Sequence, residues 1–291
     1  RLPAVVTDLI RRMPWHTCSH RQRCGKHLSL GGLALTLLLC PATTAQPRQN
    51  WLTPQPKPAP QAPRTAPATP CPVSGNPDPL LGPRTRMPGR WVGRGAVKPD
   101  LPIVVMAGHA DSQAMASAGT PGFAVDKRRQ APMDPRMRDE LYWNLQVQKA
   151  VVRLGRTRGL NISAYTPPAL TIRNDEDPRT NWSQAKTRSA RGDYILEIHF
   201  DAYRPYGFGS GLIPAINRPL NALDESLAKA FGRFPRLFRN GLGGPRRGIG
   251  ILEIAMLEPP LENKLRNPST RSQTLECIAE RVVNALVQGV S

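Results

Sequence analysis

Two histidines and two glutamates occupy places in the sequence where side chains often do chemistry. His109 follows one short apolar run, and His199 ends another. Glu253 lies near the end of a third such run, and Glu140 opens a segment with helical apolar spacing. Two imidazoles and a carboxylate suit Zn²⁺ and leave a fourth position for water, and a further carboxylate can act as general base. A single histidine at such a place is more often structural, but the set of four predicts a metal site.

The segments that carry these residues alternate between predicted strands and helices. Short apolar runs predict strands at 101–107, 160–165, 193–200 and 248–254. Apolar residues at helical spacing predict helices at about 135–157, 184–190 and 220–238, and a last helix from about Thr270, where Thr270 and Gln273 fit a capping box. This alternation predicts a three-layer α/β/α fold with a mainly parallel central sheet. Ligands of such sheets bind beyond the carboxyl ends of the strands.

The first hundred residues differ in composition from the rest of the 291-residue chain. Of the 32 prolines, 16 lie between Pro41 and Pro102, a density that helices and strands do not tolerate. We therefore expect a basic, proline-rich linker at 46–100, extended and solvated, and a catalytic domain at 101–291. An inert tether is the favoured role of the linker, with adhesion to an anionic polymer as the alternative.

The segment before the linker has the pattern of an export signal. Basic residues precede an apolar run at 28–40, and small residues follow it up to Ala45. The run is too short for a membrane span, which needs about 20 residues. We predict a signal peptide at 1–45, with an over-extended start before Met13. A lipoprotein through Cys40 and an uncleaved anchor are the alternatives.

Charge and cysteine content restrict the partners and the compartment. The formal net charge of +19 favours an anionic partner, while an aromatic fraction of 5% argues against nucleic acid. An exported protein would keep Cys71 and Cys277 in an oxidising compartment, where a disulfide is permitted. Because Cys277 falls at an apolar position of a helical pattern, a buried free thiol is favoured over the disulfide.

Four motifs in order resemble the zinc-dependent N-acetylmuramoyl-L-alanine amidases of the amidase type 3 family. They are the strand and Gly-His at 103–109, Glu-Leu-Tyr-Trp-Asn-Leu at 140–145, Asp-Tyr-Ile-Leu-Glu-Ile-His at 193–199 and Arg-Gly-Ile-Gly-Ile-Leu-Glu at 247–253. The resemblance covers about residues 102–289. It implies one Zn²⁺ held by His109, Glu140 and His199, with Glu253 as the catalytic carboxylate.

The departures from the family pattern fall beside the implied ligands and leave the ligands themselves in place. Ala110 and Asp111 replace two glycines after the first histidine, and residues 110–133 make the first loop longer than the family pattern predicts. Glu197 and Asp201 replace a serine and an asparagine around His199. Strand alternation would put both on the face of His199, where they either orient imidazoles or are ordinary polar residues.

The resemblance implies hydrolysis of the amide between N-acetylmuramic acid and L-alanine in peptidoglycan. The expected protein is exported to the periplasm or cell envelope, is a monomer, and has no stable membrane span after signal cleavage and no nucleic-acid partner. A zinc peptidase or amidase for another substrate is one alternative, and a non-catalytic cell-wall-binding protein on the same fold is the other. Only 53 residues separate His199 from Glu253, so no helix that blocks the cleft is expected between them.

Overall fold

The computed structural model describes residues 70–72, 75, 77–116 and 118–291. Five strands form one sheet in the order β2-β1-β3-β5-β4. Neighbours are parallel except β4, which runs antiparallel to β5. The strands are β1 (Ile103–Ala107), β2 (Ile162–Tyr165), β3 (Tyr194–Asp201), β4 (Gly211–Ile213) and β5 (Ile249–Met256). The predicted fold class is confirmed.

The described residues also form one 3₁₀ helix (Phe238–Asn240) and seven α-helices. The α-helices are α1 (Gly122–Asp126), α2 (Asp139–Thr157), α3 (Asn181–Ala190), α4 (Ala222–Phe231), α5 (Gly243–Arg246), α6 (Leu261–Arg266) and α7 (Pro268–Val290). On one face of the sheet, α2 and α4 pack against α7 and the strands. On the other face, α3 packs on β3 and α5 on β5. The sheet is therefore the middle of three layers.

The strands are apolar because helices cover both of their faces. All five residues of β1 are buried, as are seven of the eight in β3. Alternate residues point to opposite layers, so Val105 belongs to the apolar cluster that includes α2 and α7, while Val104 belongs to the cluster that includes α3. Two-sided burial is typical of parallel sheets and explains the continuous apolar runs in the sequence.

Two predicted helix boundaries and one missed strand have local explanations. The helix predicted at 220–238 ends at Phe231, because Gly232 follows with φ 123°. The last helix begins at Pro268, where the Asn267 side chain accepts a hydrogen bond from Ser269 N, so the capping box predicted at Thr270 is wrong. Strand β4 has only three residues and gives no periodic signal.

The last part of the predicted linker packs against the sheet domain. Leu80 and Leu81 are buried and belong to the larger apolar cluster, and Asp78 forms an ion pair with Arg281 on α7. The Trp91 indole N–H donates to Phe234 O at 2.7 Å. The solvated spacer predicted for 46–100 therefore does not describe residues 77–100. Proline density predicts extended chain, and here the extended chain lies against the domain.

A disulfide joins Cys71 to Cys277 on α7 across 206 residues of sequence. The buried free thiol favoured for Cys277 is therefore wrong. Periodicity placed Cys277 correctly in the core, where it is buried, but it could not bring Cys71 to it. The bond attaches the start of the described chain to the last helix.

The predicted signal peptide and the linker up to residue 69 lie outside the described residues. Within the described part, no helix combines the length and apolar character that a membrane crossing needs. The boundaries at 45/46 and 100/101 stay predictions.

Candidate metal centre

The side chains of His109, Glu140 and His199 come together beyond the carboxyl ends of β1 and β3. Their potential ligand atoms all lie within 4.8 Å of one another. Glu140 Oε1 is 3.3 Å from His109 Nε2 and 3.1 Å from His199 Nδ1. Ligand atoms around a tetrahedral zinc ion lie roughly 3.3–3.6 Å apart, given bonds of about 2.0–2.2 Å. The three side chains therefore have a spacing that fits a metal ion.

Gly108 lets the two histidines approach each other. A Cβ at this position would lie 2.2–2.6 Å from three atoms of the His199 imidazole, so no larger residue fits. The amide of Gly108 donates to Ile198 O, which extends the β1–β3 pairing by one residue. His109 then turns into the site with φ 63°, a left-handed conformation that is uncommon for a residue with a side chain. The two imidazole rings meet edge to face, with their centroids 4.8 Å apart.

Glu140 reaches the histidines from the first turn of α2. It is 4% exposed, and its Oε2 accepts a hydrogen bond from Thr120 N at 2.6 Å. Its position in the first turn also stabilises the negative charge through the helix dipole. One oxygen of the carboxylate is thus held by the backbone, and the other faces both imidazoles.

A second carboxylate orients His199 from the opposite side of the ring. Glu197 Oε2 lies 3.2 Å from His199 Nε2, and Asn181 Nδ2 donates to Glu197 Oε1 at 2.8 Å. The same Asn181 amide donates to Ala107 O, and Asn181 N donates to Asp111 Oδ2. A carboxylate on one ring nitrogen leaves the other nitrogen as the ligand atom, which for His199 is Nδ1.

The electrostatics of the cluster favour a cation. Burial alone would raise the pKa of Glu140, but the hydrogen bonds and charges of His109 and His199 outweigh it and lower that pKa. Burial opposes the charged form of His199, yet its contacts with Glu140 and Glu197 raise its pKa well above the usual value. The two carboxylates thus draw a proton onto His199 when no metal is present. A divalent cation supplies positive charge at the same place.

Glu253 lies next to this cluster on the neighbouring strand. It is the register partner of His199 in the β3–β5 pairing and of Gly211 in the β4–β5 pairing. Its Oε2 is buried and has no hydrogen-bond partner among the described residues. Burial and the nearby Asp201 raise the pKa of Glu253 to about 8, although the charges of His199 and Arg239 act in the opposite direction. A cation held by the three neighbours would favour the ionised form.

Asp201 does not contact either imidazole. The β3–β5 register shifts between His199 and Asp201, and this irregularity breaks the strand alternation that predicted a shared face. Its Oδ2 instead accepts hydrogen bonds from Phe208 N and Gly209 N. The glycine-rich segment 207–211 is therefore tied to β3.

The four residues singled out in the sequence are neighbours in the structure, but several of their supports were missed. Asn181 had no signal in the sequence, because an asparagine in the first turn of a helix is common for other reasons. The contact from Thr120 is made by its backbone amide, so residue type could not reveal it. Asn144, which was part of the quoted motif, donates to Gly108 O at 3.1 Å and holds the turn before His109.

No family model matches the sequence, and no curated protein matches it. Among solved structures, the catalytic domain of the CD27L endolysin targeting Clostridia difficile is 14% identical with a TM-score of 0.42, over 64% of this chain and 97% of that one. The N-acetylmuramyl-L-alanine amidase Ami1 from Mycobacterium smegmatis is 15% identical with a TM-score of 0.41, over 65% and 99%. The amidase AmiC2 of Nostoc punctiforme is 13% identical with a TM-score of 0.38, over 66% and 99%. Likenesses this weak leave the activity to be judged from the residues of this chain.

Proposed function

We propose that this protein is a zinc-dependent N-acetylmuramoyl-L-alanine amidase that cleaves peptidoglycan. The observation that carries the proposal is the convergence of His109, Glu140 and His199 beside Glu253, whose buried Oε2 has no partner among the described residues. The four sequence motifs that resemble the amidase type 3 family contain these same residues. The donor set of two imidazoles and one carboxylate suits Zn²⁺.

Each of the four side chains has a separate task in this proposal. His109, Glu140 and His199 would hold the ion, with Glu197 fixing the ring of His199. When bound, zinc polarises the amide carbonyl and lowers the pKa of water. Glu253 takes a proton from the attacking water and delivers it to the leaving nitrogen of L-alanine. Breaking that C–N bond releases the stem peptide from N-acetylmuramic acid.

Digestion of purified sacculi by the full chain tests this proposal. We expect released peptides with a free L-alanine amino group. Chelation should abolish the reaction, and added zinc should restore it. The double variant His109→Ala/His199→Ala should retain no stoichiometric zinc. Zinc retained by that variant would contradict the ligand assignment.

The long loop after His109 motivates one second candidate, a zinc peptidase or amidase for another substrate. In the structure this loop contains α1 and the Thr120 amide that binds Glu140, so it borders the site directly. Chelator-sensitive cleavage of peptides, with intact sacculi as the control, would favour this candidate over the amidase.

A further inference from the structure

Arg239 lies at the rim of the site and makes no polar contact there. Its guanidinium stacks 5.0 Å from the centroid of the Phe208 ring and 5.2 Å from that of Phe238. The side chain is exposed, and among the described residues it has no ion pair and donates no side-chain hydrogen bond. Stacking fixes the plane of the guanidinium and leaves its N–H groups free for a ligand.

The loop that carries Arg239 is adjacent to the catalytic strands. Phe208, on which it stacks, donates its backbone N–H to Asp201 at the end of β3. Three residues later, Gly211 is the register partner of Glu253. Arg239 is thus placed, through the Phe208 ring, beside the segment that pairs with the strand of Glu253.

The backbone at Arg239 is in a conformation that a residue with a side chain rarely adopts. Arg239 has φ 51° and ψ 43°, and Asn240 and Gly241 follow with φ 64° and 87°. Left-handed conformations are unfavourable for residues other than glycine. A glycine at position 239 would avoid this cost, so the chain retains an arginine there against a local preference.

A second guanidinium shares the same aromatic ring. Arg86 lies 4.7 Å from the Phe208 centroid, and its backbone N–H donates to Phe208 O. Its side chain is exposed, and among the described residues it donates one hydrogen bond, to Pro205 O at 3.3 Å. Neither arginine is neutralised by a carboxylate within ion-pair distance among the described residues. Two unpaired guanidinium groups beside one ring form a potential anion-binding site.

We propose that Arg239, flanked by Arg86, binds a carboxylate of the substrate peptide and so orients the scissile amide toward Glu253. This inference rests on the proposed amidase function, because it concerns the carboxylates of that enzyme's peptide substrate. A guanidinium fork matches a carboxylate in two parallel hydrogen bonds. Peptides whose carboxylates are converted to carboxamides should therefore be poorer ligands. Arg239 is a specificity residue and takes no part in proton transfer.

Binding to the full-length, zinc-loaded Glu253→Gln variant tests this without turnover. The probes are N-acetylmuramoyl-L-alanyl-D-glutamate and its diamide, in which both carboxylates are carboxamides. We expect the acid to bind about 10-fold tighter than the diamide, because hydrogen bonds between two charged groups are stronger than neutral ones and exposure to solvent keeps the gain modest. Adding Arg239→Gln should remove that preference and leave the binding of the diamide unchanged.

Two further variants serve as controls for the effect of Arg239→Gln on ligand preference. Arg236→Gln should keep the full preference, because the Arg236 side chain is exposed, lies three positions away and, among the described residues, donates only to Arg218 O. Arg239→Lys should keep part of it and covers the case in which the glutamine variant does not fold. A preference for the acid that survives Arg239→Gln, or equal losses for both ligands, would overturn the proposal.

Cleavage of the same two compounds by the chain with Glu253 intact separates this inference from the proposed function. A higher kcat/KM for the acid than for the diamide supports both proposals if Arg239→Gln removes the difference mainly by raising KM. Cleavage of both compounds at equal rates supports the amidase and overturns the carboxylate site. Preferential binding of the acid through Arg239 without any cleavage supports the carboxylate site and counts against the amidase.

Discussion

Glu253 differs from Glu140 and Glu197, the other two carboxylates of the site, because one of its oxygens has no hydrogen-bond partner among the described residues. Glu140 and Glu197 each use both oxygens in contacts with neighbours. A buried carboxylate oxygen without a partner is costly in a folded protein. In the proposed function the partnered carboxylates would hold and orient, and Glu253 would exchange protons.

Glu253→Gln should retain zinc and the fold but lose turnover by about 10²–10⁴-fold, since an amide of similar size cannot take a proton. Zinc content and sacculus digestion measure the two effects. Glu258→Gln, on the loop after β5 and paired with Arg204, is the matched control. A Glu253→Gln variant with the wild-type rate would make Glu253 a structural acid.

Glu197→Gln should weaken zinc binding by roughly 10–100-fold, because it removes the charge that holds the His199 ring. Competition with a chelating dye gives the affinity. Asp201→Asn is the comparison, since Asp201 contacts backbone amides and neither imidazole. Equal zinc affinities in wild type and Glu197→Gln would show that Glu197 does not support the site.

At the scale of elements, the loop that borders the site is hydrogen-bonded to helix α6. Helix α1 lies in the long loop after His109, and its Ala124 N donates to Glu262 Oε2 on α6 at 2.9 Å. Glu262 Oε1 has no partner among the described residues. Burial raises the pKa of Glu262 to about 7 from an ordinary value of 4.5. The folded protein thus holds a proton there that the unfolded chain releases at lower pH.

Glu262 should therefore make the protein less stable as pH rises from about 4.5 to about 7. The unfolded chain binds fewer protons than the native one in this window, so the free energy of unfolding falls by roughly 1–3 kcal/mol. Denaturant unfolding at pH 5 and pH 8 measures this. Glu262→Gln should reduce the difference between the two pH values, and Glu276→Gln, an exposed ion-pair residue on α7, should not. An identical pH dependence in wild type and Glu262→Gln would contradict the assignment.

The disulfide between Cys71 and Cys277 attaches the segment before residue 100 to α7. Cys71→Ser should lower the free energy of unfolding by about 2–4 kcal/mol, because the bond closes a long loop in the unfolded chain. Thermal unfolding with and without a reducing agent measures the effect. Reduction should lower the Tm of the wild type and leave that of Cys71→Ser unchanged. A wild-type Tm that does not respond to complete reduction would contradict a stabilising role.

At the scale of the whole molecule, the chain between His199 and Glu253 forms elements that pack in the domain core. Helix α4, the longest element of this stretch, packs against α7 through Leu223, Leu227 and Phe231. A helix buried on that layer is not available to cover His109, Glu140 and His199.

The full chain should therefore digest sacculi with no added protein. Release of soluble peptide over time, with Glu253→Gln as the blank, is the measurement. Activity should not rise when envelope extract inactivated for its own hydrolases is added. A zinc-loaded but inactive chain that such an extract switches on would show that a partner controls the cleft.

The sequence by itself determined the class of the fold, and it indicated which residues meet at the candidate site. His109, His199 and Glu253 follow apolar runs that only a two-sided sheet can bury, and a parallel sheet brings the ends of such runs to one edge. Tertiary structure alone decided the contacts that depend on backbone geometry or on distant chain. The register shift after His199 turned Asp201 away from the imidazoles, and the left-handed turn at Arg239 placed a cation near Glu253. Neither is encoded in residue spacing, because a one-residue irregularity in a strand and a single positive φ leave no periodic pattern. The pairing of Cys71 with Cys277 was equally hidden, since a proline-rich segment predicts only that the chain is extended, and what it lies against is set by the folded surface it meets.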